Sequence, residues 1–376
     1  EPDVQNDQSG FLTLSKTVSD ISFPAENNMI GELPLEVHHL RYLKKLHIER
    51  NDGISGPIPD QYGELEHMIY LISKTSLTGK IPRSLANMKK LQFLNFENND
   101  LSGDTLEGDL DVLKEMTALV SLSLIYNSEI TGTMPDLSSL SNLKVLGVSN
   151  TGMYGTLPES LGMLQLQLLY MDDCAFEGSL DVIQSMSSLT NVYLEDNSFD
   201  DVIDDTFFAN HENLVHLDVS NCSFSGTVPG HLFYHPKLQV LDMSMNDLDG
   251  QLPETISENN LQFLSLHSNK ISGPIPSLIN NMKNLITLDL SSNQLSGDIP
   301  SEIADLVGLS ILFLGRNNFA PGPVPAWMRN MTQLSELSLK GSSLTETIPE
   351  WLGELTNLLF LDLGENDLTG SIPQSL

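Results

Sequence analysis

The chain has 376 residues, of which 40% are hydrophobic, and it carries 50 acidic against 18 basic residues for a formal net charge of −32. A surface this acidic repels phosphate backbones and anionic lipid head groups, so the composition disfavours nucleic-acid binding and direct membrane contact. No apolar run reaches the length of about 18 residues that a membrane span needs, and the first twenty residues lack the basic start and apolar stretch of a signal peptide. The hydrophobic fraction argues for a folded chain, either of several domains or of an architecture that grows without enlarging its core.

One pattern, LxxLxLxxNxLxGxIP, recurs along the chain, for example in LQFLSLHSNKISGPIP at 261–276 and LITLDLSSNQLSGDIP at 285–300. We call the asparagine column of this pattern the ladder. It falls at fifteen positions: Glu26, Asn51, Thr75, Asn99, Asn127, Thr151, Cys174, Asn197, Cys222, Asn246, Asn269, Asn293, Asn317, Ser342 and Asn366. The steps are 23 to 25 residues, with a single step of 28 between Asn99 and Asn127. A fixed period of this length predicts a solenoid of stacked repeats.

Each part of the pattern predicts an element. The LxL segment alternates apolar and polar residues, which is typical of a short strand with one buried face. The next repeat returns a parallel strand beside it, and fifteen strands at about 4.8 Å each make an arc of about 70 Å. The GxIP segment sets a turn, and the PxxLxxL that follows it predicts a short helix on the convex side. The fold class is therefore α/β, with a parallel sheet on the concave face and short helices and turns on the convex face.

The ladder side chains are predicted to pair with backbone groups of the turn after each strand, which would otherwise be buried without partners. Losing one such pairing costs roughly 1–3 kcal/mol. The structural ladder positions that we single out are Asn99, Asn127, Cys174, Asn197, Cys222, Asn246, Asn269, Asn293 and Asn366. The only two cysteines of the chain stand two repeats apart in this column, about 9.6 Å at the strand spacing. Since a disulfide requires less than about 7 Å, we expect two free, buried and unreactive thiols.

This repeat resembles that of plant-type leucine-rich repeat proteins, and the resemblance covers nearly the whole chain. It implies a right-handed curved solenoid. In that family, ectodomains of receptor-like kinases and receptor-like proteins bind peptides, small hormones or co-receptors on the concave face, and secreted members bind enzymes there. Family members usually carry paired cysteines in terminal caps, which are missing here. We predict a cysteine-free cap-like segment at 1–20 and a repeat domain at 21–376 that stops in mid-repeat, and we expect the natural protein to continue past Leu376.

Motifs of catalysis are missing from the sequence: there is no GxSxG, P-loop, GxGxxG, HExxH or CxxC. The chain is therefore predicted to be no enzyme and to need no cofactor. His231 and His235 are four apart but lack a third metal ligand, which favours a solvated convex surface over a metal site. The acidic run from Asp200 to Asp205 could bind calcium through oxygen ligands or be a plain solvated loop, and both readings stay open.

Outward strand positions supply a candidate binding surface. Near the N-terminal end they form a basic cluster of Lys44, Lys45, His47, Arg50 and Lys74, and the C-terminal third is blander, with Ser265 and Asp289 among its positions. Between them lies the central patch, which consists of Tyr170, Asp172, Tyr193, Glu195, His216 and Asp218. Tyrosine offers contact area and a polar tip at low entropic cost. We predict that the patch binds a positively charged ligand, most simply a basic peptide or protein segment; the alternative is that an acidic protein has acids everywhere.

The function predicted from sequence is that of a non-enzymatic recognition solenoid, an extracellular or cell-surface ectodomain that binds a peptide or protein. The alternatives are a scaffold of the cell wall, of adhesion or of an assembly, a secreted enzyme inhibitor, and placement in an organelle lumen. Two acceptor motifs for N-glycosylation occur, at Asn330 and Asn221, and Asn330 is the better candidate. The oligomeric state and the identity of the ligand stay open.

Overall fold

The computed structural model describes residues 18–23, 27–104 and 109–376. The chain divides into two compact units, Glu1–Tyr154 and Gly155–Leu376. The repeat anchor predicted at Glu26 and most of the cap-like segment 1–20 lie outside the described residues. Within each unit the same repeat recurs: a strand of the main sheet, a tight turn, a second short strand or bridge, and a helical turn that leads to the next repeat.

The main-sheet strands of each unit are parallel and follow one another in sequence order. In the first unit they are Asp20–Phe23, Lys45–Glu49, Tyr70–Lys74, Phe93–Asn95, Ser121–Ser123 and Val145–Gly147. In the second unit they are Leu168–Tyr170, Asn191–Tyr193, His216–Asp218, Val240–Asp242, Phe263–Ser265, Thr287–Asp289, Ile311–Phe313, Glu336–Ser338 and Phe360–Asp362. Each predicted LxL segment from Leu46 onward is thus a strand, and the predicted fold class is confirmed.

Shorter strands follow the turns and pair in small parallel sheets of their own. They are Ile30–Glu32, Gly53–Pro57, Ser76–Gly79, Asp100–Leu101, Gly103–Asp104, Asn127–Gly132, Thr151–Gly155, Ala175–Gly178, Ser198–Phe199, Val202–Ile203, Ser225–Thr227, Asp247–Asp249, Ser272–Gly273, Gln294–Gly297 and Asn318–Phe319. The apolar residue of most LxG segments, such as Leu295, is buried beneath them. The turn segment therefore adds a second line of hydrophobic contacts to each repeat.

The helical turns on the other side of each repeat are short, as predicted, and nearly all are 3₁₀ helices. They are Leu35–His39, Asp60–Glu64, Arg83–Asn87, Asp109–Glu115, Glu159–Met163, Gly230–Tyr234, Ser277–Asn281, Ser301–Asp305, Ala326–Asn330 and Glu350–Glu354, with one short α-helix at Asp181–Gln184. The proline of GxIP commonly stands just before the helix, where its fixed φ suits the entry; Pro276, for example, has φ −62°. About five residues are enough to cross this side of the repeat. Such a short crossing favours the 3₁₀ helix, which is tighter than the α-helix and occurs in short pieces.

The ladder asparagines tie each repeat to the one before it. In Asn293, Nδ2 donates to the carbonyl of Leu290 in its own turn (3.2 Å) and to that of Leu266 in the preceding repeat (2.9 Å), and Oδ1 accepts from the N–H of Ile271 (3.0 Å). The same three kinds of bond are made by Asn99, Asn127, Asn197, Asn246, Asn269, Asn317 and Asn366. One side chain therefore satisfies backbone groups of two repeats and fixes the register between them.

Neither Cys174 nor Cys222 forms a disulfide bond, and the two differ in exposure. Cys222 is buried, and its thiol donates to the carbonyl of Leu194 (3.4 Å), which is the inter-repeat carbonyl that a ladder asparagine would engage. Burial raises the pKa of this thiol to about 12, so it stays protonated and weakly nucleophilic at neutral pH. The expectation that Cys174 is also buried was wrong, because it is partly exposed. Its neighbours Asp173 and Ala175 are both exposed, so the turn leaves one side of this thiol open to solvent.

We predict that Asn293→Ala destabilises the protein by about 2–4 kcal/mol, because the buried N–H of Ile271 and the carbonyl of Leu266 both lose their side-chain partner. Thermal melting should show the loss, and hydrogen exchange at the amide of Ile271 should accelerate. The exposed neighbour Gln294 supplies the matched control, since Gln294→Ala should change stability by less than about 0.5 kcal/mol. Equal melting temperatures for the two variants would contradict the ladder's role.

Candidate functional site

The outward face of the main sheet in the second unit brings together side chains from consecutive repeats. Strand register pairs Tyr170 with Tyr193, and Tyr193 with Asp218. The next three strands continue the same line. We call this line the middle row; it consists of Tyr170, Tyr193, Asp218, Asp242, Ser265 and Asp289. Because the strands are parallel and in register, neighbouring positions in a row lie about 4.8 Å apart. The central patch predicted from sequence is therefore a contiguous surface.

Aromatic rings form the N-terminal part of this surface. Tyr170 stacks on Tyr193 with ring centroids 4.8 Å apart and planes inclined by 10°. Tyr193 in turn contacts the ring of His216, with centroids 4.3 Å apart and a tilt of 35°. Such contacts hold the rings in place beyond what their buried area alone contributes. The patch therefore offers a pre-ordered aromatic surface that spans three repeats.

Carboxylates lie beside the rings and repel one another. Burial, with the charge of Asp218 as the next cause, raises the pKa of Glu195 to about 8, and Asp172 and Asp196 add to the shift. Burial and the charge of Asp242 raise the pKa of Asp218 to about 6, although Ser220 donates two hydrogen bonds to it. One oxygen of Glu195, Oε2, is closed to solvent and has no hydrogen-bond partner. Glu195 therefore holds a proton at neutral pH that a cation could displace.

The sequence around Glu195 and Asp218 is poor in basic residues. The sequence contains neither lysine nor arginine between Lys144 and Lys237. Burial lowers the pKa of His216, so the imidazole is neutral at pH 7, and its Nε2 is enclosed without a partner. Among the ion pairs of the described residues, none involves Glu195 or Asp218. At neutral pH Asp218 thus supplies a negative charge beside the aromatic rings that no ion pair of the described residues balances.

The basic cluster of the first unit, in contrast, lies beside acidic side chains that pair with it. Lys74 lies 2.5 Å from a carboxylate oxygen of Glu97 and 3.8 Å from one of Glu49. His47 is 3.2 Å from the other oxygen of Glu49. Neighbouring strands carry these acids at outward positions beside the bases, so part of the positive charge predicted there is neutralised within the sheet itself.

In the acidic run at 200–205, three carboxylates accept hydrogen bonds from Thr206 and from backbone groups of neighbouring repeats. Asp204 accepts from the N–H and hydroxyl of Thr206, which lowers its pKa. Asp201 accepts from the N–H of Leu180 (2.5 Å), and Asp205 from that of Gly230 (3.2 Å). Across the described ranges, no three histidine, cysteine or carboxylate side chains are grouped so as to hold a metal ion.

The prediction that His231 and His235 lie on a solvated surface was wrong. His235 is 7% exposed, and His231 is half-buried. His235 stands three residues before Leu238, where other repeats bury a Met or Leu such as Met282. Its Nδ1 accepts from the N–H of Leu238 (3.1 Å), so Nε2 carries the proton that it donates to the carbonyl of His211 (3.0 Å). This histidine is a hydrogen-bonded part of the core.

Three residues of the middle row were not part of the predicted patch. Asp242 was not singled out from sequence, and Ser265 and Asp289 were assigned to a blander region. Strand register places all three in line with Asp218. The signal that could have found Asp242 and Asp289 is the recurring acid within the LxL segment, as in LDVS, LDMS and LDLS; Ser265, in LSLH, lacks this signal.

Both predicted glycosylation acceptors are exposed. Asn330 ends the 3₁₀ helix Ala326–Asn330. Asn221 adopts φ 45°, and its amide donates to the carboxylate of Asp196 beside the central patch.

Throughout the portion of the chain that the structure describes, no helix is both long and apolar enough to cross a bilayer.

Part of this chain is similar in sequence to a known family model and to known proteins. The family model for a leucine-rich repeat region matches residues 216–376. Receptor-like protein 18 of Arabidopsis thaliana is 32% identical over 126 residues, which cover 34% of this chain and 14% of that protein. Receptor-like protein 32 of the same species is 34% identical over 84 residues, which cover 21% of this chain and 10% of that protein.

Solved structures extend the likeness to nearly the whole chain. The ectodomain of the plant membrane receptor kinase GASSHO1/SCHENGEN3 from Arabidopsis thaliana, in complex with CASPARIAN STRIP INTEGRITY FACTOR 2, is 28% identical with a TM-score of 0.80, and the match covers 92% of this chain and 41% of that chain. The Arabidopsis receptor kinase HAESA, in complex with the peptide hormone IDA and the co-receptor SERK1, is 28% identical with a TM-score of 0.75, over 92% of this chain and 62% of that chain.

The repeat, the fold and these matches define the class of fold: residues 216–376 match a leucine-rich repeat model, and the fold is similar to that of leucine-rich repeat ectodomains. Its repeats are of the plant type, and its relatives are plant receptor-like proteins and receptor-kinase ectodomains. The chain matches less than half the length of the GASSHO1/SCHENGEN3 ectodomain and about a seventh of receptor-like protein 18.

The raised pKa of Glu195 predicts a pH-dependent stability. Between the ordinary value of 4.5 and about 8, the folded chain holds a proton that the unfolded chain releases, so stability falls as pH rises through this window. The side chain of the variant Glu195→Gln cannot ionise, so the variant should lose part of this dependence of stability on pH. We expect the melting temperature of the variant to equal that of the wild type near pH 4.5 and to be about 2 °C higher than that of the wild type at pH 9.

The exposed residue Glu177 offers the control for this measurement. Glu177→Gln should leave the pH slope of the melting temperature as it is in the wild type. If Glu195→Gln also reproduced the wild-type slope, Glu195 would not be held protonated in the folded chain.

Proposed function

We propose that this chain is the ligand-recognition part of a cell-surface receptor-like protein, and that the central patch binds a basic peptide or protein segment. The observation that carries the proposal is the aromatic stack of Tyr170, Tyr193 and His216. Beside it lie Glu195 and Asp218, which take part in no ion pair of the described residues. Stacked rings supply contact area at low entropic cost, and the acids supply the charge that selects the ligand.

The relatives support the mode of binding rather than a particular ligand. HAESA is solved with a peptide hormone and a co-receptor, and the GASSHO1/SCHENGEN3 ectodomain with CASPARIAN STRIP INTEGRITY FACTOR 2. Solved structures that share this fold at 28% identity are thus complexes with a peptide hormone or another factor. Extracellular placement belongs to the same proposal, because it rests on the likeness to receptor-like proteins.

A basic ligand would also relieve an electrostatic cost of the folded chain. Glu195 and Asp218 resist ionisation because each is partly buried near other carboxylates. An ammonium or guanidinium group placed among them lowers both pKa values and releases protons as it binds. Affinity for a basic ligand is therefore expected to rise with pH between about 6 and 8.

Within an extracellular assignment, Asn330 is the better acceptor for an N-linked glycan. It is exposed at the end of a short helix, away from the outward sheet face. The amide of Asn221 is already bound to Asp196, and its turn requires a positive φ. A glycan on Asn330 leaves the central patch open to a ligand, whereas one on Asn221 would crowd it.

The test screens an array of synthetic peptides that differ in net charge against the immobilised wild-type chain. We expect the bound peptides to be basic and Tyr193→Ala to weaken them about tenfold, the cost of a central aromatic contact. Binding constants from fluorescence anisotropy measure the effect.

Tyr234, which is 49% exposed on the short helix Gly230–Tyr234, provides the matched control. Tyr234→Ala should leave the affinity for the same peptides within twofold of the wild type. Selection of acidic or neutral peptides, or an equal loss in the two variants, would sink the proposal.

A further inference from the structure

The middle row continues past the central patch onto three further strands of the second unit. Register pairs Asp242 with Ser265, and Ser265 with Asp289. Leu264 is fully buried in the core, and side chains alternate along a strand, so Ser265 lies on the outward face between the two acids. The row therefore offers a carboxylate, a hydroxyl and a carboxylate on three adjacent strands.

Ser265 is the unusual member of this group. It is only 2% exposed, and its Oγ is closed to solvent without a hydrogen-bond partner. Most buried polar groups in folded proteins have a partner, and leaving one unpaired costs about 1–3 kcal/mol. An orphan hydroxyl with an acid on either side marks a place where a donor group from another molecule would complete the pairing.

The flanking acids each have one oxygen in use. Oδ1 of Asp242 accepts from the N–H of Ser244 (2.9 Å). Oδ1 of Asp289 accepts from both the N–H (2.9 Å) and the hydroxyl (2.6 Å) of Ser291. Neither residue takes part in an ion pair of the described residues. Both carboxylates are thus held in position by the backbone while their charge is left unbalanced.

We propose that Asp242, Ser265 and Asp289 form a second subsite, which holds a lysine or arginine side chain of the ligand that the central patch recognises. This inference rests on the proposed function and extends it by assigning the class of ligand. The side-chain ammonium or guanidinium of the ligand lies between the two carboxylates. The side chains that close Oγ of Ser265 to solvent move aside to admit this group, which then donates a hydrogen bond to the hydroxyl of Ser265.

The spacing of the row defines the ligand further. Asp218 and Asp289 are three strands apart in the row, or about 14 Å. An extended peptide covers the same distance in four residues at about 3.4 Å each. A peptide that runs along the row can therefore reach both acids with two basic side chains four residues apart, while an aromatic residue at its other end lies against Tyr170 and Tyr193.

The experiment uses two fluorescein-labelled heptapeptides with the whole chain. Both begin with tyrosine and carry lysine at the third position, with glycine and serine as spacers; the first also has lysine at the seventh position, where the second has glutamine. We expect the wild type to bind the two-lysine peptide about fivefold more tightly at low salt, with the advantage shrinking as salt rises.

Three variants localise the advantage. Asp242→Asn and Asp289→Asn keep the oxygen that caps the turn and remove the charge; each should abolish most of the fivefold advantage and leave binding of the one-lysine peptide within twofold. Ser265→Ala should reduce the advantage by about half. Asp362 supplies the matched control, since it occupies the same row three strands beyond Asp289 and caps Gly364 in the same way; Asp362→Asn should change neither affinity.

The outcomes separate this inference from the proposed function. The subsite is overturned if the two-lysine peptide shows no advantage in the wild type, or if Asp289→Asn and Asp362→Asn have equal effects. Loss of the one-lysine peptide in Tyr193→Ala tests the central patch independently of the subsite. If Tyr193→Ala binds both peptides like the wild type while Asp289→Asn loses the advantage, the central patch fails and the subsite stands. Circular dichroism melts confirm that each variant folds.

Discussion

The hydrogen bonds of the ladder side chains are the constraint on which the rest of the structure depends. A ladder asparagine donates to carbonyls of two consecutive repeats and accepts an N–H of the earlier one, as Asn293 does with Leu290, Leu266 and Ile271. Shifting one repeat by a single residue would break all of these bonds at once and turn the LxL face over. Strands are therefore held in register, and chemically alike side chains from distant parts of the sequence line up in rows.

Charged side chains become concentrated in these rows. Each repeat offers few outward positions, and the fixed strand spacing places equivalent positions of neighbouring repeats close together. In the second unit the charge of Asp218 helps to raise the pKa of Glu195, and the charge of Asp242 helps to raise that of Asp218. An arrangement that opposes its own ionisation lowers stability at neutral pH, and such costs are typical of surfaces that serve a ligand. The core offsets this cost, because the leucines of most LxL segments, such as Leu288 and Leu290, are almost completely buried.

Much of the fold could be predicted from the sequence because the repeat encodes it locally. Period, strand positions and the ladder column follow from the spacing of leucine, asparagine and the GxIP turn. The residue before the ladder position, such as Ser292 with φ 54°, adopts a left-handed conformation that no fixed residue type marks. The burial of His235 was also missed, because a polar residue in a column of Met and Leu is recognised as core only once its hydrogen bonds are seen.

The candidate site was predicted less completely than the fold. Tyr170, Tyr193 and Asp218 could be grouped from register alone, and the structure places them side by side. Whether an outward acid is balanced could not be read from the repeat: Lys74 is paired by Glu97, whereas Glu195 has no such partner. The orphan hydroxyl of Ser265 depends on the packing of its neighbours, which the composition of one repeat does not reveal.

The central claim is that a basic peptide lies on the outward sheet face of the second unit. It is tested most directly by photo-crosslinking, with a benzophenone group at the middle of a basic peptide selected from the array and with mass spectrometry to locate the adducts. The account predicts adducts within the segment 168–291, on the strands that carry the middle row. Adducts confined to the first unit, or to the short helices such as Gly230–Tyr234, would contradict it.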